Sequence, residues 1–224
     1  MGTMVTFASN GGQAEGYLAT PTAANGGGII VIQEWWGLVD HIKNIAERFA
    51  SEGFVALAPD LYHGRQTTEP DEAQKLAMSL QMDQAAKDMS GAVDYLRGRP
   101  EVTGGIGVVG FCLGGGLALY LASIRPEIAA CVPYYGALMG ATPDLSAVRA
   151  AVLGHYADHD DFASPEVARG LEEQLRSHGR EATFHIYPNT QHAFFNDTRP
   201  ETYNADAARQ SWERTLEFFR SHLK

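Results

Sequence analysis

Apolar residues fall along this chain in two alternating rhythms. Short unbroken runs at Ile29-Ile30-Val31-Ile32, Phe54 to Ala58, Ile106 to Val109, Ile128 to Tyr135, Ala150 to Tyr156 and Ala182 to Tyr187 have the length of buried strands. Between them, apolar positions recur at helical spacing. Ile42, Ile45, Ala46 and Phe49 form one such stripe, closed by Gly53, and residues 71 to 97 predict helix in two pieces. Another helix is expected near 165 to 178. The chain closes on one whose Ala208, Trp212, Leu216, Phe219 and Leu223 share a face, a stripe that reads as core packing. Strand and helix alternating from residue 29 onward predict an α/β fold, a mostly parallel sheet with helices on both faces. The opening differs, because Met4 to Ala8 and Gly16 to Thr20 read as an antiparallel hairpin about the turn Ser9-Asn10-Gly11-Gly12. With no internal repeat and no interdomain linker, residues 1–224 are expected to form a single domain.

One strand-to-helix junction carries chemistry. Cys112 sits at the centre of Gly110-Phe111-Cys112-Leu113-Gly114-Gly115, after the run ending at Val109 and before the helix-like stretch Leu117 to Ala122. A nucleophile held on so sharp a turn leaves no room for neighbouring β-carbons, and the glycines meet that demand. The following helix points free amides and its positive dipole end at the sulfur, which favours thiolate and an oxyanion beside it. A cysteine so placed can attack carbonyls; the plainer alternative is a small buried residue before a Gly-rich turn.

A cysteine nucleophile needs a base, and the base needs an acid to fix its tautomer. In α/β-hydrolase sites the chain order is nucleophile, acid, histidine, the acid following a late strand and the histidine lying in the loop after the last one. Cys112, Asp160 and His192 obey that order. Asp158 and Asp161 crowd beside Asp160, which is preferred as the acid. His155 and His159 with a neighbouring aspartate could instead ligate zinc. A strand end with solvated histidines and aspartates is the simpler reading, and no metal site is expected. The string Gly105-Ile106-Gly107-Val108-Val109-Gly110 imitates a dinucleotide fingerprint, but its glycines lie in the strand and do not open a helix. No cofactor is expected. Glu34 ends the strand that starts at Ile29 and is expected near Cys112, because sites of open α/β sheets gather at those carboxyl ends. A carboxylate there opposes ionisation of the thiol, whereas His192 and the helix dipole promote it.

Composition narrows the partners. Seventeen basic against 27 acidic residues give a net charge of -10, and no Lys/Arg run could track a phosphate backbone, so nucleic acid is not expected. The start Met1-Gly2-Thr3-Met4-Val5-Thr6-Phe7 lacks the basic and apolar regions of a signal peptide, and no later stretch reaches membrane-spanning length. A cytoplasmic location without membrane contact is the expectation. Cys112 and Cys131 are too few for a disulfide framework, and Cys131 reads as core. Without export, the sequon Asn196-Asp197-Thr198 has no use.

Glu34 in Gln33-Glu34-Trp35, the cysteine elbow, Pro59-Asp60-Leu61-Tyr62 and the loop around His192 together resemble the dienelactone hydrolase family over nearly the whole chain. The resemblance implies Cys112 as nucleophile, His192 as base, Asp160 as orienting acid, and Glu34 as a carboxylate that keeps the thiol neutral until substrate displaces it. It also implies an oxyanion hole, by position the amides of Leu113 and Trp35. The implied reaction opens cyclic enol-lactones or activated esters through a cysteine acyl-enzyme, without cofactor, on a small-molecule substrate. Arg65 matches one arginine expected to hold a substrate carboxylate. Where a second is expected, four residues beyond the histidine, stands Asn196, with Arg199 three positions further on. Trp35, Trp36 and Tyr135 are expected to line the pocket. A general carboxylesterase or thioesterase is the second reading, and a thiol sensor or binding protein the third.

Overall fold

The computed structural model describes residues 2–136 and 142–224. In chain order the elements are β1 (Thr3–Ser9), β2 (Gly12–Ala19), β3 (Gly28–Ile32), α1 (Asp40–Ser51), β4 (Val55–Pro59), α2 (Pro70–Ser79) and α3 (Met82–Arg97). There follow β5 (Ile106–Phe111), α4 (Leu113–Ile124), β6 (Ile128–Tyr134), β7 (Ala151–His159), α5 (Pro165–Ser177), β8 (Ala182–Gln191) and α6 (Ala205–His222). The strands form one sheet in the order β1-β2-β4-β3-β5-β6-β7-β8. Pairing is parallel from β4 through β8, while β1 with β2 and β2 with β4 are antiparallel. This is the α/β-hydrolase architecture, with an antiparallel N-terminal hairpin on a mostly parallel sheet.

The central strands are apolar on both faces because helices cover both, so the pleat divides each strand between two cores. Ile30, Ile32, Ile106 and Val108 pack with residues of α3, α4 and α5, whereas Ile29, Val31, Val109 and Phe111 pack with α1 and α6. The C-terminal stripe is core as its spacing predicts, with Phe219 fully buried and Trp212 packed 4.5 Å from the ring of Phe49. Cys131 is likewise fully buried in β6. Among the described residues no helix is long and apolar enough to cross a membrane.

Two boundaries differ from the sequence expectation. The second strand starts at Gly12 and not Gly16, because Asn10 (φ 31°) and Gly11 (φ 92°) alone make the turn, a two-residue left-handed connection that suits the hairpin twist. The last strand runs on through Pro188 to Gln191. β8 is an edge strand, where a proline costs no ladder bond. A register shift between Ala157 and His159 lets the polar segment rejoin β7. Asp158 holds that irregularity, its carboxylate accepting the Asn189 and Thr190 N–H groups at 2.8 and 2.9 Å.

Candidate active site

At the end of β5 the backbone turns directly into α4 through Cys112, whose φ of 54° and ψ of -118° lie outside the regions an L-residue ordinarily adopts. The surroundings hold it there. Cys112 N–H donates to Tyr134 O at 3.1 Å, and Gly115 N–H donates to Cys112 O at 2.9 Å. Glycine is obligatory on both sides of the turn: a Cβ at Gly110 would sit 1.9 Å from Gly114 O, and one at Gly114 would sit 2.4 Å from Gln33 O. Leu113 is the first residue of α4, so its amide is among those that a helix leaves without an internal partner.

β7 and β8 deliver the other two groups of the expected triad. Asp160 follows β7 directly, and its Oδ1 accepts the N–H groups of Phe162 and Ala163 at 2.8 and 2.9 Å, which points Oδ2 at the imidazole. His192 follows β8 directly, and its Nδ1 lies 2.7 Å from Asp160 Oδ2. Burial alone would strip the proton from His192, yet the hydrogen bond to Asp160 and the influence of the Cys112 sulfur outweigh it and push the imidazole up to about 10. Burial opposes ionisation of Asp160 too, but His192 and the two amides hold its carboxyl below the usual range. An imidazole between a sulfur and a carboxylate can carry a proton from one reaction step to the next. The neighbouring acid Asp158 is engaged at the β8 irregularity, and Asp161 is exposed. Of the two histidines of the zinc alternative, only His155 has both ring nitrogens engaged. His155 is fully buried with Nδ1 on Tyr187 Oη and Nε2 on Thr215 Oγ1, and His159 is exposed beside Asp158.

Glu34 is 1% exposed just beyond β3, and its partners among the described residues are neutral. Tyr135 Oη donates to Oε1 at 3.4 Å and Asn196 Nδ2 donates to Oε2 at 2.7 Å. Tyr135 therefore departs from expectation. With its backbone in the left-handed region (φ 36°) it is fully buried, its ring packs 5.1 Å from His192 and its hydroxyl meets Glu34, so among the described residues it presents no exposed surface to a pocket. Trp35 meets Trp36 edge-on at 5.0 Å. Trp36 borders a cleft of about 890 Å³ together with Asn196 and Arg199, and the Arg199 guanidinium lies 3.8 Å from the Trp36 ring centre. Arg65 is not in that cleft; it points outward to Glu72 at 3.1 Å and edges a smaller cavity of about 170 Å³.

Four residues near the site escaped the sequence reading. Asn196 stood out only as a missing arginine, and its hold on Glu34 joins positions 162 residues apart. Gln33 accepts the Leu61 N–H at 3.2 Å and so ties β3 to the segment after β4. In that segment, which Asp60 braces by accepting the Tyr62 and Gly64 N–H groups, Tyr62 carries a buried hydroxyl. Phe162 is 72% exposed and sets its ring edge-on to His192 at 5.6 Å. A lone aromatic beside the Asp cluster was the available signal for the last of these.

The family model for the dienelactone hydrolase family matches residues 14–223. The chain belongs to the dienelactone hydrolase family. It is thus a hydrolase acting on esters. Protein usf of Aquifex pyrophilus is 36% identical, with all of both chains covered. A protein of Aquifex aeolicus named as a candidate carboxymethylenebutenolidase is 33% identical, again over all of both. Among solved structures, a candidate dienelactone hydrolase from Klebsiella pneumoniae superposes with a TM-score of 0.88 at 27% identity, covering 99% of each chain. The dienelactone hydrolase from Anabaena variabilis, at 22% identity and a TM-score of 0.77, is similar in fold.

Proposed function

We propose that this dienelactone hydrolase family member opens an enol-lactone or cleaves an activated ester through an acyl-enzyme on Cys112, with His192 as base and Asp160 as orienting acid. The observation that carries the reading is the Asp160 Oδ2 to His192 Nδ1 contact of 2.7 Å, on an imidazole whose hold on a proton the Cys112 sulfur also strengthens. His192, as base, holds the proton given up by the thiol while sulfur attacks the carbonyl carbon. The Leu113 and Trp35 amides receive the oxyanion. Collapse expels the enolate or alkoxide, which takes its proton from His192 and leaves a thioester. His192 then deprotonates water for attack on that thioester, and Cys112 departs as the acid is released. Thiolate is also a good leaving group, so substrates with a stabilised enolate or aryloxide are favoured, because these do not reverse the acylation.

The second reading, a general carboxylesterase or thioesterase with the same chemistry, is favoured by Arg65 lying on Glu72 and Arg199 on Trp36, since neither guanidinium stands free for a substrate carboxylate. Two free cysteines suit a reducing compartment, and the reading keeps the enzyme in the cytoplasm. The test is turnover of cis- and trans-dienelactone and p-nitrophenyl acetate, with mass spectrometry of the quenched enzyme. An acyl adduct on Cys112 is expected during turnover. No turnover of any of the three, with no thiol-sensitive burst, rules the mechanism out.

A further inference from the structure

The cleft of about 890 Å³ is lined by neither Cys112 nor His192; it is tied to the proposed reaction centre through Asn196 on its wall, which donates to Glu34. Its charges are unbalanced. Among the described residues it is lined by the acidic Asp40, Glu69 and Glu201 and by Arg199 and His41, with Lys43 pairing the Asp40 carboxylate at 3.3 Å. Both cations are engaged. Arg199 lies over the Trp36 ring at 3.8 Å and within 3.7 Å of Glu201, while His41 is 5% exposed with Nδ1 at 3.2 Å from Asp197. Outside the cleft, Arg65 and Lys75 both meet Glu72. Asn196 adds no charge, and the carboxylate that it holds is buried with neutral partners.

We propose that this cleft selects esters whose entering group carries no negative charge. The inference rests on the hydrolase reading above and names its substrate class. An anionic group in the cleft would give up hydration without gaining an unpartnered cation among the described residues, and it would meet Glu69 beside the paired Asp40 and Glu201 within a chain of net charge -10. An alkyl or neutral ring pays neither cost and finds Val39 and the Trp36 face for contact.

The test compares kcat/KM for p-nitrophenyl pentanoate with that for mono-p-nitrophenyl glutarate, which replaces the terminal methyl by a carboxylate, after subtraction of spontaneous hydrolysis. The full chain should prefer the pentanoate by roughly tenfold or more at about 20 mM salt, and the gap should narrow at about 500 mM as screening sets in. The double variant Glu69→Gln, Glu201→Gln should shift the ratio several-fold toward the glutarate. Equal or better use of the glutarate by the unaltered enzyme overturns the cleft assignment and leaves the hydrolase reading standing. So does a preference that ignores both salt and the double variant. Turnover of neither ester, with no acyl adduct on Cys112, overturns the hydrolase reading and this inference with it.

Discussion

In Asp160→Asn the side chain keeps its shape and exchanges one oxygen for an amide nitrogen. Phe162 and Ala163 N–H both donate to Oδ1, so that position must remain an acceptor, and the new NH2 is driven into the place of Oδ2, 2.7 Å from His192 Nδ1. There it can only donate. Nδ1 becomes an acceptor, the ring proton moves to Nε2, and the imidazole can no longer take one from Cys112. Turnover of p-nitrophenyl acetate should fall roughly 10³-fold or more with little change in KM, the loss that a wrong tautomer brings in a triad. Stability should respond with a defined sign. His192 is raised from about 6.5 in the unfolded chain to about 10, so its contribution is complete below about pH 6.5 and is lost as pH climbs through about 10. At about 1.4 kcal/mol per pH unit the ceiling is roughly 5 kcal/mol, divided between Asp160 and Cys112 as partners. Urea denaturation should therefore show the variant weaker by a few kcal/mol near pH 6 and converging on the parent near pH 10. A variant within tenfold of parental turnover, or a stability gap that does not shrink over this range, would refute the reasoning.

Phe49→Ala removes a fully buried ring that touches Phe54, Trp212 and Phe219, and should cost about 3–5 kcal/mol in a urea titration without altering the site. Gly114→Ala places a methyl 2.4 Å from Gln33 O and 2.5 Å from Ile32 O; backbone cannot yield as a side chain can, so turnover should drop about 100-fold or more and iodoacetamide should label Cys112 more slowly. Asp158→Ala leaves the Asn189 and Thr190 amides without their acceptor and should cost about 1–3 kcal/mol in thermal unfolding. Its loss of turnover should be much smaller than that of Asp160→Asn.

The strands from β3 to β7 were legible because they are buried on two faces and read as unbroken apolar runs. The end of β8 was not, since Pro188-Asn189-Thr190-Gln191 looks like a loop and becomes strand only through the Asp158 bonds and the freedom of a sheet edge. The order Cys112, Asp160, His192 could be read because parallel strands bring their carboxyl ends to one side of a sheet, whatever the loops contain. Choosing among three adjacent aspartates needed hydrogen bonds, because side chains one or two residues apart share composition and spacing. Asn196 shows the deeper limit. An amide in a polar loop has no sequence signature for meeting a carboxylate 162 positions earlier, and the structure alone joins them. Nor could the sequence show that Glu72, in the first turn of α2, would pair with the Arg65 guanidinium.

These placements combine into one electrostatic argument. Glu34 and Asp160 are both buried, but only Asp160 meets the His192 imidazole; Glu34 is held by a phenol and an amide. Burying an ion costs several kcal/mol and neutral hydrogen bonds return part of that, while the cation that the site does favour, His192, already faces Asp160. On the proposed reaction the oxyanion is a further negative charge, and the guanidinium groups of Arg65 and Arg199 are committed to Glu72 and to Trp36 with Glu201. Its stabilisation therefore falls to fixed dipoles, the amides at the start of α4 and after Glu34, which act without reorganising because the elbow geometry already holds them in place. A carboxylated substrate would add one more anion to a site with no unpartnered cation among the described residues to receive it. The charge distribution that makes dipoles the main support of the oxyanion thus also disfavours anionic esters, and both consequences trace to Glu34 being clasped by Asn196 where an arginine was expected.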